Sequence, residues 1–261
     1  MNKNKINSTL TLGFQLLRRD IEERYAGTLF GWLWLLIHPL FMLAIYTLIF
    51  GEVLQLRFGE AASTSHFAFY LFAGLIVFNA LSEVMTRATL ILQEKRDMLL
   101  NTSLSPWLLP ILPVLASVLL EWLALLILLF GMGLRGEVVF AGILFYLPYF
   151  CIRVILSLAV SYLIAPLAVF LRDLRQLMPA LLTVLLFVSP ILYPLEVIPE
   201  RFLPWYDWNF LGHLVQGYRA ALMEGVFDAT HMLNMLLISL LFLVLSVVFF
   251  RNLMPRARYV L

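Results

Sequence analysis

Few residues in this chain are of a type and spacing that can do chemistry. Gly131-x-Gly133-x-x-Gly136 matches the glycine fingerprint that holds a dinucleotide pyrophosphate. That fingerprint needs a strand before it and a helix after it. Here it falls between two long apolar runs, and it predicts a tight connection between two helices. There is no Gly-x-x-x-x-Gly-Lys-Ser/Thr loop, so the chain has no such cradle for ATP. His38, His66, His213 and His231 are scattered over four different elements, and the single cysteine, Cys151, sits inside an apolar run. These residues form no metal-ligand cluster and no nucleophile-base pair, and the chain contains no Gly-x-Ser-x-Gly elbow.

The charges inside the apolar runs point to function by default. Glu83 and Arg87 are four residues apart and can pair along one helix face. Glu121 and Arg153 lie deeper, on consecutive runs. Leaving either bare to lipid costs several kcal/mol. Two arrangements meet that demand: the two pair with each other, or Arg153 faces a polar pathway. A proton-coupled transporter carries more intramembrane carboxylates and histidines than this, so the energy for any transport is expected to come from elsewhere.

The elements that must position these residues follow from composition. Of 261 residues, 62% are hydrophobic and 13% charged, against about 25% charged in a soluble domain. The apolar residues come in long uncharged runs without the alternation of a transmembrane barrel. A run of roughly 20 apolar residues crosses the hydrocarbon core as a helix. The chain therefore reads as a single all-α integral membrane domain, residues 1–261, with six spans. They are expected near 30–50, 67–87, 108–130, 138–171, 177–193 and 232–250. The fourth is too long for one straight crossing, and Pro148 and Pro166 are expected to bend it unless its last turns leave the membrane. Thirteen Lys and Arg residues fall on one side and four on the other, which places both termini in the cytoplasm.

Two segments are not spans. Over 8–25, Leu10, Phe14, Leu17, Ile21 and Tyr25 repeat at helical spacing opposite Arg18, Arg19, Glu22, Glu23 and Arg24, which describes an amphipathic helix in the membrane interface. Over 194–225, Pro194, Pro199 and Pro204 break the chain, and Leu211, Leu214, Val215, Tyr218 and Leu222 then form an apolar stripe. This segment is expected to be a pair of short re-entrant helices in the outer leaflet, with Trp205, Tyr206 and Trp208 at headgroup level and Glu200, Asp207 and Arg219 facing water.

Leu17-Arg18-Arg19-Asp20-Ile21-Glu22-Glu23-Arg24-Tyr25-Ala26-Gly27-Thr28 runs into Leu29-Phe30-Gly31-Trp32-Leu33-Trp34 and on through Pro39 to Ile45-Tyr46-Thr47-Leu48-Ile49-Phe50-Gly51. This stretch resembles the N-terminal signature of the permease subunits of type-2 ABC exporters, in the branch that moves polysaccharides and polyol phosphates. Leu99-Leu100-Asn101 with Ser105-Pro106 and Pro110 is similar to the family's cytoplasmic loop. Phe170-Leu171-Arg172-Asp173-Leu174-Arg175-Gln176 and Val188-Ser189-Pro190-Ile191-Leu192-Tyr193-Pro194 resemble its most recognisable block. His213-Leu214-Val215 with Gly217-Tyr218-Arg219 resembles its outer re-entrant helix. The chain departs from the family where Asn209 is followed by Phe210 rather than proline.

The resemblance implies a homodimer of six-span subunits in a bacterial inner membrane, with two copies of a separate ATPase on the cytoplasmic face. ATP and magnesium would then sit on that partner, with no cofactor on this chain, and no nucleic acid is involved. It implies a polyprenyl-pyrophosphate-linked glycan as substrate, of O-antigen, capsule or teichoic-acid type. Phe69, Tyr70, Phe72, Tyr146, Tyr149 and Phe150, with Arg153, are the candidates for the pathway, because flat apolar faces and hydrogen-bonding edges suit sugar rings. Arg18, Arg19, Glu23, Glu94, Lys95, Arg96, Asp97 and Leu100 are the candidates for coupling to the ATPase. Trp205, Trp208, Leu214 and Tyr218 are the candidates for an outer gate. The competing readings are an ABC permease for a drug or a lipid, a membrane-embedded glycan or lipid transferase, and a secondary transporter.

Overall fold

The structure, a computed structural model, describes residues 15, 16, 18, 19, 22, 27–46, 48, 49, 64–101, 105–195 and 198–261. Within them the chain is helical, with no strand. A 3-10 turn, Gly31–Leu33, leads into α1, Trp34–Tyr46. Then come α2, Thr64–Ala88, and two short helices, α3, Ile91–Glu94, and α4, Arg96–Asn101. Next are α5, Ile111–Arg135, α6, Phe140–Phe170, and α7, Leu174–Val188. The chain ends with α8, Leu203–Tyr206, α9, Phe210–Arg219, and α10, Ala229–Val260.

Among the described residues four helices are long and apolar enough to cross a membrane: His66–Ala88, Pro106–Arg135, Phe140–Phe170 and Ala229–Val260. Their surfaces show what surrounds them. Leu119, Leu126, Phe130 and Leu134 line the outside of α5, and Leu233, Leu237, Leu241, Val244 and Val248 the outside of α10, all exposed. Such stripes at helical spacing are stable against lipid tails and not against water. The inward face of α10 is different. Met235, Ser239, Ser246, Phe250, Met254 and Ala257 are buried. The main neighbour of α10 is α6, whose buried residues include Ser157, Ala159, Ser161, Ala165 and Ala168. Small residues let two such helices approach closely.

The boundaries differ from the sequence expectation for local reasons. The helix expected to end at Phe130 continues to Arg135, because Gly131 and Gly133 are helical. Gly136 adopts φ 70°, Gly136 N–H bonds to Gly133 C=O at 3.2 Å and Glu137 N–H to Met132 C=O at 3.0 Å. That is the Schellman ending, which needs a left-handed residue and so glycine. The glycine fingerprint is thus a helix stop. The fourth run forms one uninterrupted helix of 31 residues despite Pro148 and Pro166. The last helix runs ten residues beyond 250, to Val260. The fifth helix stops early. The span expected to reach Tyr193 ends at Val188, because Ser189 precedes Pro190 and is extended, φ −83° and ψ 136°. At 1.5 Å per residue, α7 is about 22 Å long, short of the roughly 30 Å core.

Candidate functional site

A polar cluster lies inside the bundle where α5, α6 and α9 meet. Glu121 and Arg153 are both fully buried and form an ion pair between α5 and α6. Of the two arrangements left open by the sequence, the structure has the paired one. Tyr146 O–H donates to Glu121 Oε1 at 3.0 Å and Tyr218 O–H donates to the same oxygen at 2.6 Å. Arg153 also donates to Ser117 Oγ at 2.9 Å, and Ser117 donates to Val114 C=O at 2.8 Å. Glu121 therefore accepts from two helices besides its own. The Phe150 ring lies 5.3 Å from the Arg153 guanidinium carbon. A buried charge pair offsets its desolvation only when its remaining donors and acceptors are also met, and this cluster meets most of them.

The second buried cation is one the sequence reading placed in water. Arg219 is 1% exposed. Its Nη1 donates to Pro190 C=O at 2.8 Å, its Nη2 to Ile191 C=O at 2.6 Å and its Nε to Tyr70 C=O at 3.1 Å. Its guanidinium carbon lies 3.6 Å from the centre of the Tyr70 ring. The cause is the early stop of α7. Breaking a helix inside a bundle strands carbonyls that water cannot reach, and a planar guanidinium fork reaches two of them at once. Asn209 completes the repair. Its Nδ2 donates to Val188 C=O at 3.2 Å, and its Oδ1 accepts from Ser189 O–H at 3.1 Å and from Gly212 N–H at 2.9 Å, capping α9. One signal for Arg219 was present in the sequence: it lies four residues after Val215 and eight after Leu211, at the edge of the apolar stripe.

Glycines fix how α9 lies. A Cβ on Gly142 would meet Ala221 C=O at 2.2 Å, one on Gly217 the Tyr149 ring at 2.4 Å, and one on Gly225 the Val139 side chain at 2.6 Å. Residues 225, 221 and 217 thus match 139, 142 and 149, so α9 and its π-helical extension, Ala220–Glu224, run antiparallel to the start of α6. A Cβ on Gly74 would press on Arg219 Nη2 at 2.8 Å, so α2 leaves room for the fork.

The candidate pathway residues lie largely in the subunit's own core. Phe69, Phe72, Tyr146, Tyr149 and Arg153 are buried, and Tyr70 and Phe150 are half-buried. Phe72 also reaches a cavity of about 480 Å³ bounded by Trp34, Asn79, Glu83 and Glu121. The gate candidates divide: Trp205 and Trp208 stand exposed, whereas Leu214 and Tyr218 are fully buried.

Among the coupling candidates, Arg18 and Arg19 are exposed, Arg18 pairs with Glu22 at 2.8 Å, and Glu23 lies outside the described residues, as does the whole predicted stripe of Leu10, Phe14, Leu17, Ile21 and Tyr25. Leu99, Leu100 and Asn101, likened to a cytoplasmic loop, form the end of helix α4, which follows α3. Gln93 donates to Ala168 C=O at 3.3 Å and Arg258 to Leu99 C=O at 2.9 Å, tying the pair to α6 and α10. Arg87 holds Glu94 at 3.1 Å. Of the remaining coupling candidates Lys95 is buried, while Glu94, Arg96, Asp97 and Leu100 face outward. Leu16 packs in one cluster with Leu99, Tyr162, Phe250 and Ala257. Leu16 and the end of α10 therefore share one end of the bundle.

Comparison with known proteins was consistent along most of the chain. The family model described as ABC-2 type transporter matches residues 11–223. The chain is 28% identical over 187 residues to the O-antigen export system permease protein RfbA of Myxococcus xanthus, covering 71% of this chain and 69% of that protein. It is 24% identical over 221 residues to the protein of the same name from Klebsiella pneumoniae, covering 82% and 80%. It is 26% identical over 226 residues to the polysialic acid transport protein KpsM of Escherichia coli, covering 85% and 84%.

Proposed function

Because the chain belongs to the ABC-2 type transporter family, we propose that it is the membrane subunit of an ATP-driven exporter that moves a lipid-linked polysaccharide out of the cytoplasm. The observation that carries the reading is the likeness, over most of their length, to two O-antigen export permeases and a polysialic acid transporter. Two copies form the pathway in the bacterial inner membrane. Each crosses six times, α1 and α7 supplying the two short crossings, with both termini in the cytoplasm. Two copies of a separate ATPase dock on α3 and α4 and the N-terminal helix. The sugar chain is carried on polyprenyl pyrophosphate, and the chain itself holds no nucleotide. The rigid attachment of α3 and α4 to α6 and α10 supports the docking assignment, because a push on that ledge moves the two longest helices. The segment from α8 to the π-turn is a re-entrant cap over the exit.

The test is genetic and biochemical together. Deleting the chain's gene is expected to trap the glycan inside the cell, and restoring it returns the glycan to the surface. The purified chain alone is expected to hydrolyse no ATP. Surface glycan that persists after deletion, or turnover by the chain without a second subunit, would overturn the reading.

A further inference from the structure

We propose that a groove at the far end of α10 binds the phosphate headgroup of an anionic membrane lipid. The groove holds about 700 Å³ and is lined by Pro106, Trp107, Arg251, Met254, Arg258 and Tyr259. Arg251 and Arg258 are seven residues apart, so they lie on the same face of the helix, about 10 Å apart along it. Two guanidiniums at that separation can close on one phosphate between them. Among the described residues no carboxylate pairs with Arg251 or Arg258; Arg258 donates to Leu99 C=O at 2.9 Å, which holds one edge of its fork.

The depth of the groove selects a lipid. Phe250 closes the span expected over 232–250, and Arg251 is the first charge beyond it. A run of that length, about 28 Å as a helix, nearly fills the hydrocarbon core. Arg251 then stands at its border, and Arg258 and Tyr259 lie in the headgroup layer. Trp107 forms the opposite wall. It is held in place by ring contacts with Phe250 at 4.9 Å and Tyr162 at 5.9 Å, and by Tyr162 O–H donating to its carbonyl at 3.0 Å. An aromatic wall with two arginines at that level takes an anion that arrives attached to an acyl chain.

Native mass spectrometry of the full chain in detergent, titrated with phosphatidylglycerol or phosphatidylcholine, tests this. Arg251 is exposed and makes no hydrogen bond or ion pair among the described residues, so Arg251→Gln keeps the fold. Wild type is expected to retain phosphatidylglycerol in preference to phosphatidylcholine. Arg251→Gln is expected to weaken phosphatidylglycerol about fivefold, the factor for one basic residue near an anionic surface, and to leave phosphatidylcholine unchanged. Arg256→Gln, off this helix face, is expected to change neither. Equal losses from the two variants would mean diffuse surface charge and overturn the site. Displacement of the lipid by millimolar inorganic phosphate would overturn the lipid source. Unchanged lipid retention in Arg251→Gln, with loss of a copurifying ATPase, would make the groove a protein contact instead.

Discussion

Glu121 joins three helices through one carboxylate, so its neighbours are energetically coupled. Replacing either Glu121 or Arg153 alone leaves a buried charge or fork without its partner, at a cost of about 3–5 kcal/mol. Replacing both removes the charges together and costs far less than the sum. Glu121→Gln and Arg153→Met are therefore expected to lower the melting temperature of the detergent-solubilised chain strongly, and the double variant to recover much of the loss. An additive double variant would mean that the two charges are not coupled. Arg219 makes a different demand. Its fork reaches the carbonyls of Pro190, Ile191 and Tyr70, and hydrogen bonds from a charged donor contribute about 1.5–3 kcal/mol each. Lysine carries the charge without the fork. Arg219→Lys is expected to melt nearly as low as Arg219→Ala; a lysine variant as stable as wild type would show that charge alone suffices.

Helix α6 and the π-helical extension of α9 touch at backbone distance, and the contact rests on a missing Cβ at Gly142. Gly142→Ala places a methyl 2.2 Å from a backbone oxygen that has no side chain to move aside, whereas Gly133→Ala meets its nearest atom at 3.8 Å. Gly142→Ala is expected to destabilise by at least about 1–3 kcal/mol, the range for overpacking, and Gly133→Ala by less than 1 kcal/mol. Equal melting temperatures in the two variants would mean that the contact is looser than described. This element also marks how far the sequence could be read. The four long helices were legible because their apolar runs exceed the membrane width, and the glycine fingerprint was legible as a helix connection because no strand precedes it. The pairing of Glu121 with Arg153 stayed one of two options, since sequence gives depth but not the rotation of one helix against another. Arg219 was missed because charge alone argued for water. Its burial follows from carbonyls stranded some thirty residues earlier, a demand that local pattern does not carry.

At the scale of the whole molecule, the strongest constraint is that Leu16 and the end of α10 meet. Leu16 and Ala257 belong to one cluster with Leu99, Leu109 and Val169, so an even number of crossings between the two is the expectation. Successive long helices alternate about that cluster: α2 ends near it, α5 leaves it, α6 returns and α10 ends in it. Gly225 lies against Val139, at the opposite end of α6. Positive charge gathers at the shared end, with Arg172, Arg175, Arg251, Arg256 and Arg258 around it, and the positive-inside rule predicts a cytoplasmic location for that end. On that prediction the exposed residues Arg96 and Leu100 are expected to face the cytoplasm, and exposed Val226 the outside. In a Cys151→Ser background, a membrane-impermeant thiol reagent is expected to label Val226→Cys in intact cells. It is expected to label Arg96→Cys and Leu100→Cys only after the cells are opened. In the opened cells the latter two are also expected to crosslink to the copurifying ATPase. Labelling of Val226→Cys and Arg96→Cys from the same side would break the alternation of crossings. Labelling of Arg96→Cys alone in intact cells would keep the alternation and invert the molecule, placing the ledge beyond the reach of any ATPase in the cytoplasm.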